Sequence, residues 1–132
     1  MKSLINVGSQ RTQTVAIGDT IDLGIVLRKL GNNIRLEGGD IHLKGEGFYS
    51  IDSSFVFTAD GDGIVKISLF KDGSPIPCAT AERTVADGLE YILAMPPVIV
   101  RNYCCSDATI TARIEGVAGA IESTATRVVK EN

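Results

Sequence analysis

The sequence predicts an all-β fold: a two-sheet antiparallel jelly-roll sandwich of about nine or ten strands. Three observations carry this. Apolar residues recur at every second position in several separate runs, the spacing that places them on one face of a strand. The 14 glycines fall between those runs rather than inside them, which suits a sandwich with many turns. Asp-Gly pairs punctuate the chain at Asp60-Gly61, Asp62-Gly63, Asp72-Gly73 and Asp87-Gly88, where tight reversals tolerate positive φ.

Residues 1–14 are polar and without a clear period, and read as an N-terminal arm or a first edge strand. Residues 15–132 read as the jelly-roll domain. From Val15 the odd positions turn apolar, through Ile17, Ile21, Leu23, Ile25 and Leu27. Gly18-Asp19 interrupts them, so two short strands are expected. One helical turn is the alternative over residues 25–30, although glycines flank it closely. Turn signals at Gly31-Asn32-Asn33 and Gly38-Gly39-Asp40 bracket Ile34-Arg35-Leu36, and Ile41-His42-Leu43-Lys44 alternates again.

Residues 47–71 hold the strongest pattern. Tyr49, Ile51, Ser53, Phe55 and Phe57 lie two apart, as do Val65, Ile67 and Leu69. The link Asp60-Gly61-Asp62-Gly63 reads as a tight turn, so the pair is expected to form a β-hairpin with one buried face. Lys71-Asp72-Gly73-Ser74-Pro75 is a second turn. Residues 79–86 suit an edge strand. A strand over residues 89–95 stops at Pro96-Pro97, and Val98 to Arg101 resumes it. Thr109 to Ile114 alternates polar and apolar, and residues 121–130 form the last strand.

The order Gly47-Phe48-Tyr49-Ser50-Ile51, the strand ending Leu69-Phe70-Lys71-Asp72-Gly73, the strand Thr109-Ile110-Thr111 and a last strand near the C-terminus resembles the jelly-roll superfamily of tumour necrosis factor and complement globular heads. The resemblance is to the small versions of phages and bacteria, and it spans roughly residues 47–130. It implies a homotrimer in which the Gly-x-Tyr strand crosses the core toward the three-fold axis, with the last strand beside it. On that basis Tyr49, Ile51, Phe55 and Phe57 are core or trimer-axis residues, and Asp60, Asp62 and Asp72 mark displayed turns. There are no Gly-X-Y repeats of the collagen-like stalk that complement heads follow.

Composition removes several functions. The net charge is −3, and no Lys/Arg cluster exceeds two adjacent residues, so a phosphate-backbone groove is not expected. Aromatic content is 5% with no Trp, which argues against a stacking platform for single strands. No apolar stretch is long enough for a secretory leader or a membrane span. The chain is expected to be made in a cytoplasm, where virion assembly occurs. The cysteines Cys78, Cys104 and Cys105 are odd in number and two are adjacent, which fits reduced thiols packed as small apolar groups.

Candidate sites each have a plainer explanation. Asp60-x-Asp62-Gly63 has the opening spacing of a calcium loop, but Ile64 and Lys71 stand at its fifth and twelfth positions, so a plain turn is favoured and no metal is expected. His42 has no nucleophile placed near it by a recognisable motif. The turn carboxylates Asp60, Asp62, Asp72 and Asp87 have backbone roles that compete with glycosidase chemistry. Arg101 and Tyr103 follow the Pro-Pro corner and fit a displayed loop or subunit contact. No cofactor and no enzymatic activity are expected. The reading is a structural or adhesive virion protein — capsid decoration, head fibre or tail-associated — with itself, capsid or tail proteins, or a host-surface glycan as partners. A small carbohydrate-binding, lectin-like module is the alternative.

Overall fold

The structure, a computed structural model, describes residues 3–103 and 106–131. Thirteen strands are present and no helix among the described residues. They are β1 (Leu4–Ser9), β2 (Gln13–Val15), β3 (Thr20–Ile21), β4 (Ile25–Leu30), β5 (Ile34–Glu37), β6 (Asp40–Leu43), β7 (Gly47–Ala59), β8 (Gly63–Lys71), β9 (Ser74–Val85), β10 (Glu90–Ala94), β11 (Val98–Asn102), β12 (Ala108–Glu115) and β13 (Gly119–Lys130). The count exceeds the expected nine or ten because the first half of the chain is cut into short pieces. Gly18, Gly24, Gly31, Gly38 and Gly39 all take positive φ there and end strands after a few residues.

The strands form a seven-stranded and a six-stranded sheet, packed as a sandwich. The first runs β10-β7-β13-β1-β4, with β11 also on β7 and β2 also on β13. The second runs β5-β6-β12-β8-β9, with β3 also on β12. All pairings are antiparallel. Residues 25–30 are strand β4 on the edge of the first sheet, not a helical turn.

Two sequence expectations are corrected. Residues 47–59 and 63–71 do not form a hairpin. Strand β7 lies in the first sheet and β8 in the second, and both supply side chains to the one core. The three linking residues, Asp60 to Asp62, reach about 10 Å when extended, which matches the usual separation of packed sheets. Alternation and glycine-rich links look alike for a hairpin and for a crossing between sheets. Within the stretch read as an arm or edge strand, Leu4–Ser9 are neither, while Gln13 and Thr14 of β2 pair with β13 alone. Strand β1 is interior, paired to β13 on one side and β4 on the other. Its Ile5 and Val7 are buried, a short inward set that the polar neighbours mask.

True hairpins occur elsewhere. β5 and β6 join through Gly38-Gly39, with φ of 60° and 81°, the conformation of a two-residue type I′ turn. β8 and β9 join through Asp72-Gly73, with φ of 51° and 84°.

The core is one cluster drawn from both sheets. Tyr49, Phe55 and Phe57 from β7 meet Val65, Ile67 and Leu69 from β8 and Ile110 and Ile114 from β12, all essentially inaccessible. Most buried polar groups are paired; Arg35 Nε is the exception found among the described residues. Ser53 and Thr126 share a hydroxyl hydrogen bond of 2.7 Å across the β7–β13 ladder. Thr124 donates to the Leu23 carbonyl, and the Asn102 amide donates to the carbonyls of Gly45 and Ser106. The Tyr49 hydroxyl lies 2.8 Å from the carbonyls of both Lys44 and Gly45. Burial, with Asp107 adding to it, raises its pKa.

Phe55→Asp places an unpaired carboxylate in this core and is expected to cost several kcal/mol. Thermal melting checks it: a variant that melts like the parent would mean that Phe55 is not inside the sandwich.

Candidate assembly surface

The four residues assigned to core or trimer axis are all inside one chain. Tyr49 and Phe57 are 0% exposed, and Ile51 and Phe55 1%. Their positions on β7 are core, and the opposite parity of the same strand supplies the outward face. Phe48, Ser50, Asp52, Ser54, Val56 and Thr58 lie there.

Residues paired across strands share a face, so the ladders define rows on the outside of the seven-stranded sheet. One row is Ala94, Ser54, Ala125, Gly8 and Ile25, running through β10, β7, β13, β1 and β4. It is a trough of small residues ending at an isoleucine. Leu27 overhangs its end: a Cβ at Gly8 would lie 3.3 Å from Leu27 Cδ1 and 2.7 Å from the Thr124 carbonyl oxygen. Only glycine permits that approach. Beside the trough, Ile92 pairs with Val56. On its other side, Arg127 and Asp52 form an exposed ion pair at 3.6 Å, worth little in isolation. The groove over Gly8, Ile25, Leu27 and Ala125 has a volume of about 730 Å³.

Exposed apolar side chains concentrate on this sheet. Ile25, Leu27, Leu30, Phe48, Ile92 and Ile99 all belong to it, whereas Ile64 is the large exposed apolar residue on a strand of the other sheet. Scattered exposed apolar residues are ordinary, and their gathering on one sheet makes this face the candidate interaction surface. Sequence reasoning missed Phe48, Val56 and the β4 residues as a surface. The signal was present in the unbroken apolar run Ile25-Val26-Leu27 and in apolar residues at the outward positions of β7.

The turn carboxylates are exposed and sit at opposite ends of the sandwich. Asp62 accepts the Asp87 amide at 2.8 Å, tying two loops together. Asp72 sits at φ 51° and accepts the Thr109 amide at 2.9 Å, while its own amide donates to the Thr109 carbonyl. The Asp60 amide donates to the Ala118 carbonyl. His42 is paired across the ladder with Thr109, its Nδ1 3.3 Å from the threonine hydroxyl. Asp40, at the start of β6, has its pKa raised by burial, with Asp22 adding to the rise and His42 opposing it.

Cys78 departs from the expectation of a packed thiol. It is exposed, with φ 65°, because a bulge between the pairs Ser68↔Thr80 and Phe70↔Pro75 turns Ile76 and Ala79 inward instead. Cys104 and Cys105 lie outside the described residues. Past the Pro-Pro corner, the Arg101 guanidinium carbon is 5.5 Å from the Phe48 ring centroid and 4.7 Å from that of Tyr103.

No protein-family model matches the chain, and no curated protein matches it by sequence. Solved structures match over nearly its whole length. Murine APRIL at pH 5.0 superposes with a TM-score of 0.76 at 12% identity, covering 98% of this chain and 99% of that one. Eiger TNF from S. frugiperda gives 0.68 at 8% identity, covering 100% and 92%. The globular domain of zebrafish complement 1qA gives 0.68 at 9% identity, covering 100% and 98%. The fold is therefore the jelly roll of tumour-necrosis-factor and complement globular domains.

Two outcomes follow from the turn geometry and the Asp40 shift. Asp72→Asn is expected to melt close to the parent, because Asn tolerates left-handed backbone and keeps an acceptor. Asp72→Ala is expected to lose about 1–2 kcal/mol, and equal melting of the two would remove the role given to the carboxylate. For Asp40, the folded pKa stands above the unfolded one, so the folded chain holds more protons between the two values and stability falls as pH rises through that window. Asp40→Asn is then expected to raise the melting temperature at pH 7, with the gain vanishing near about pH 3. A gain that persists at acid pH would contradict this sign.

Proposed function

We propose that this chain is a non-enzymatic structural and adhesive protein that assembles as a homotrimer through the outward face of its seven-stranded sheet. The observation that carries the reading is the row of small residues between Ile92/Val56 and Ile25/Leu27, on a chain whose core is already closed without it. Apolar side chains left in water there gain about 1.5–3 kcal/mol each when covered, and the small trough lets a neighbouring backbone or side chain approach closely. A closed ring satisfies such a face on every copy, whereas open repetition would form fibres.

The setting proposed is a phage particle, with the protein as capsid decoration, head fibre or tail-associated knob. The resemblance of the residue 47–130 pattern to the small phage and bacterial jelly rolls supports it. Three-fold assembly would display the turn-rich ends as repeated copies, so that weak loop contacts act together. Neighbouring genes decide this part: capsid genes support decoration, tail genes support adhesion, and unrelated metabolic genes would remove the virion setting.

Light scattering on the purified protein is expected to give three times the 14.0 kDa chain mass. A monomer at micromolar concentration would sink the assembly reading. Ala125→Arg, which fills the trough with a charged side chain, is expected to weaken association by at least about 2 kcal/mol per interface and to yield folded monomers with the parent's strand content by circular dichroism.

A further inference from the structure

We infer that the cleft between the β8–β9 turn and β11 binds a carboxylated sugar. It has a volume of about 600 Å³ and is walled by Lys71, Pro75, Pro77, Ile99, Arg101 and Tyr103. Lys71 Nζ donates to the Arg101 carbonyl at 2.8 Å and lies 5.8 Å from the Tyr103 ring centroid. The Arg101 guanidinium packs on the Tyr103 and Phe48 rings. Two cations are thus gathered around an exposed aromatic ring in a chain of net charge −3.

Neither cation forms an ion pair among the described residues; the pairs present are Arg35–Glu37 and Arg127–Asp52. The carboxylate beside Lys71, Asp72, is turned to the Thr109 amide. A guanidinium held by ring contacts keeps its in-plane N–H groups free, and that fork matches a carboxylate. Asp72 and Ser74 also line the cleft, and its apolar wall comes from β9 and β11. Pro75, Pro77 and Ile99 offer more surface than a bare anion covers, and Tyr103 presents a ring for the C–H face of a sugar. Asp72 at the rim disfavours a dianion such as phosphate, and an uncharged sugar leaves both cations uncompensated. A sialic or uronic acid residue meets all of these conditions, with its carboxylate toward Arg101 and Lys71. The inference deepens the adhesive part of the proposed function and rests on that part.

The probes are the methyl α-glycoside of N-acetylneuraminic acid and methyl β-glucuronide, with methyl galactoside, inorganic phosphate and N-acetylglutamate amide as controls. Each is titrated into the full chain by NMR. One acidic sugar is expected to bind with a Kd of about 1 mM or tighter, shifting Ile99 and Tyr103 resonances. Arg101→Gln and Tyr103→Ala, both at exposed positions, are each expected to weaken it by about tenfold or more with little change in melting. No binding of either acidic sugar at about 10 mM, or equal binding of the galactoside, overturns the inference. Equal binding of phosphate or of the glutamate derivative, untouched by Tyr103→Ala, replaces it with a plain anion or acidic-peptide site. Binding unaffected by both substitutions also overturns it. Light scattering on the same sample separates the two readings: a trimer that ignores both sugars loses this site alone, and a monomer that binds one keeps the site and loses the assembly.

Discussion

Strand β13 lies along β7 from Gly119 opposite Ala59 to Lys130 opposite Tyr49, and β1 pairs on its other edge. Everything else hangs on the register of this ladder. A slip of one residue would turn every side chain of a strand to the opposite face. The register is held by size: Tyr49, Phe55 and Phe57 fit only inward, where Val65, Ile67 and Leu69 face them from the second sheet. A bulge between Ile121 and Ser123 makes the match possible. Before it the odd residue Ile121 is buried, and after it the even residues Thr124, Thr126 and Val128 are. Without that extra residue, Val128 would face outward while Ile121 faced inward.

The outward face inherits its shape from the same register. With the large residues of the middle of the ladder committed to the core, β7 and β13 are left there with Ser54, Ala125 and the Asp52–Arg127 pair outside, and β1 contributes Gly8. The result is a shallow trough rather than a flat apolar sheet. Its apolar borders come from strands at the two edges, β4 and β10. An interface built this way combines close backbone approach at the centre with apolar contact at the margins. The Asp52–Arg127 pair beside it is satisfied within one chain, so a partner covering it would meet a desolvation cost with no new charge partner gained.

The Lys71–Arg101–Tyr103 cleft sits at the start of β7, away from the trough and beside the β8–β9 turn. Its cations are fixed by a carbonyl and by aromatic rings instead of by carboxylates. Such an arrangement holds positive charge in place without neutralising it. The proposed assembly face and the proposed recognition cleft thus lie on separate parts of the molecule, and repetition of a weak site by symmetry would raise its effective strength.

The all-β class was legible in the sequence because a period of two is a local property, visible wherever one face of a strand is buried. Tyr49, Ile51, Phe55 and Phe57 were legible as an inward set for the same reason, and the turn at Asp72-Gly73 from its chemistry. The pairing of strands was not legible. Asp60 to Asp62 reads the same whether it closes a hairpin or carries the chain to the other sheet, because local conformation does not record which strand lies alongside. The trough was equally hidden: Gly8, Ser54, Ala94 and Ala125 are far apart in sequence and unremarkable singly, and only the ladders set them in one row. The cleft follows the same logic, joining a turn after β8 to a strand after the Pro-Pro corner. The sequence by itself determined which face of each strand avoids water. Which strands became neighbours was decided by the tertiary structure, since pairing depends on how all the buried faces fit together at once.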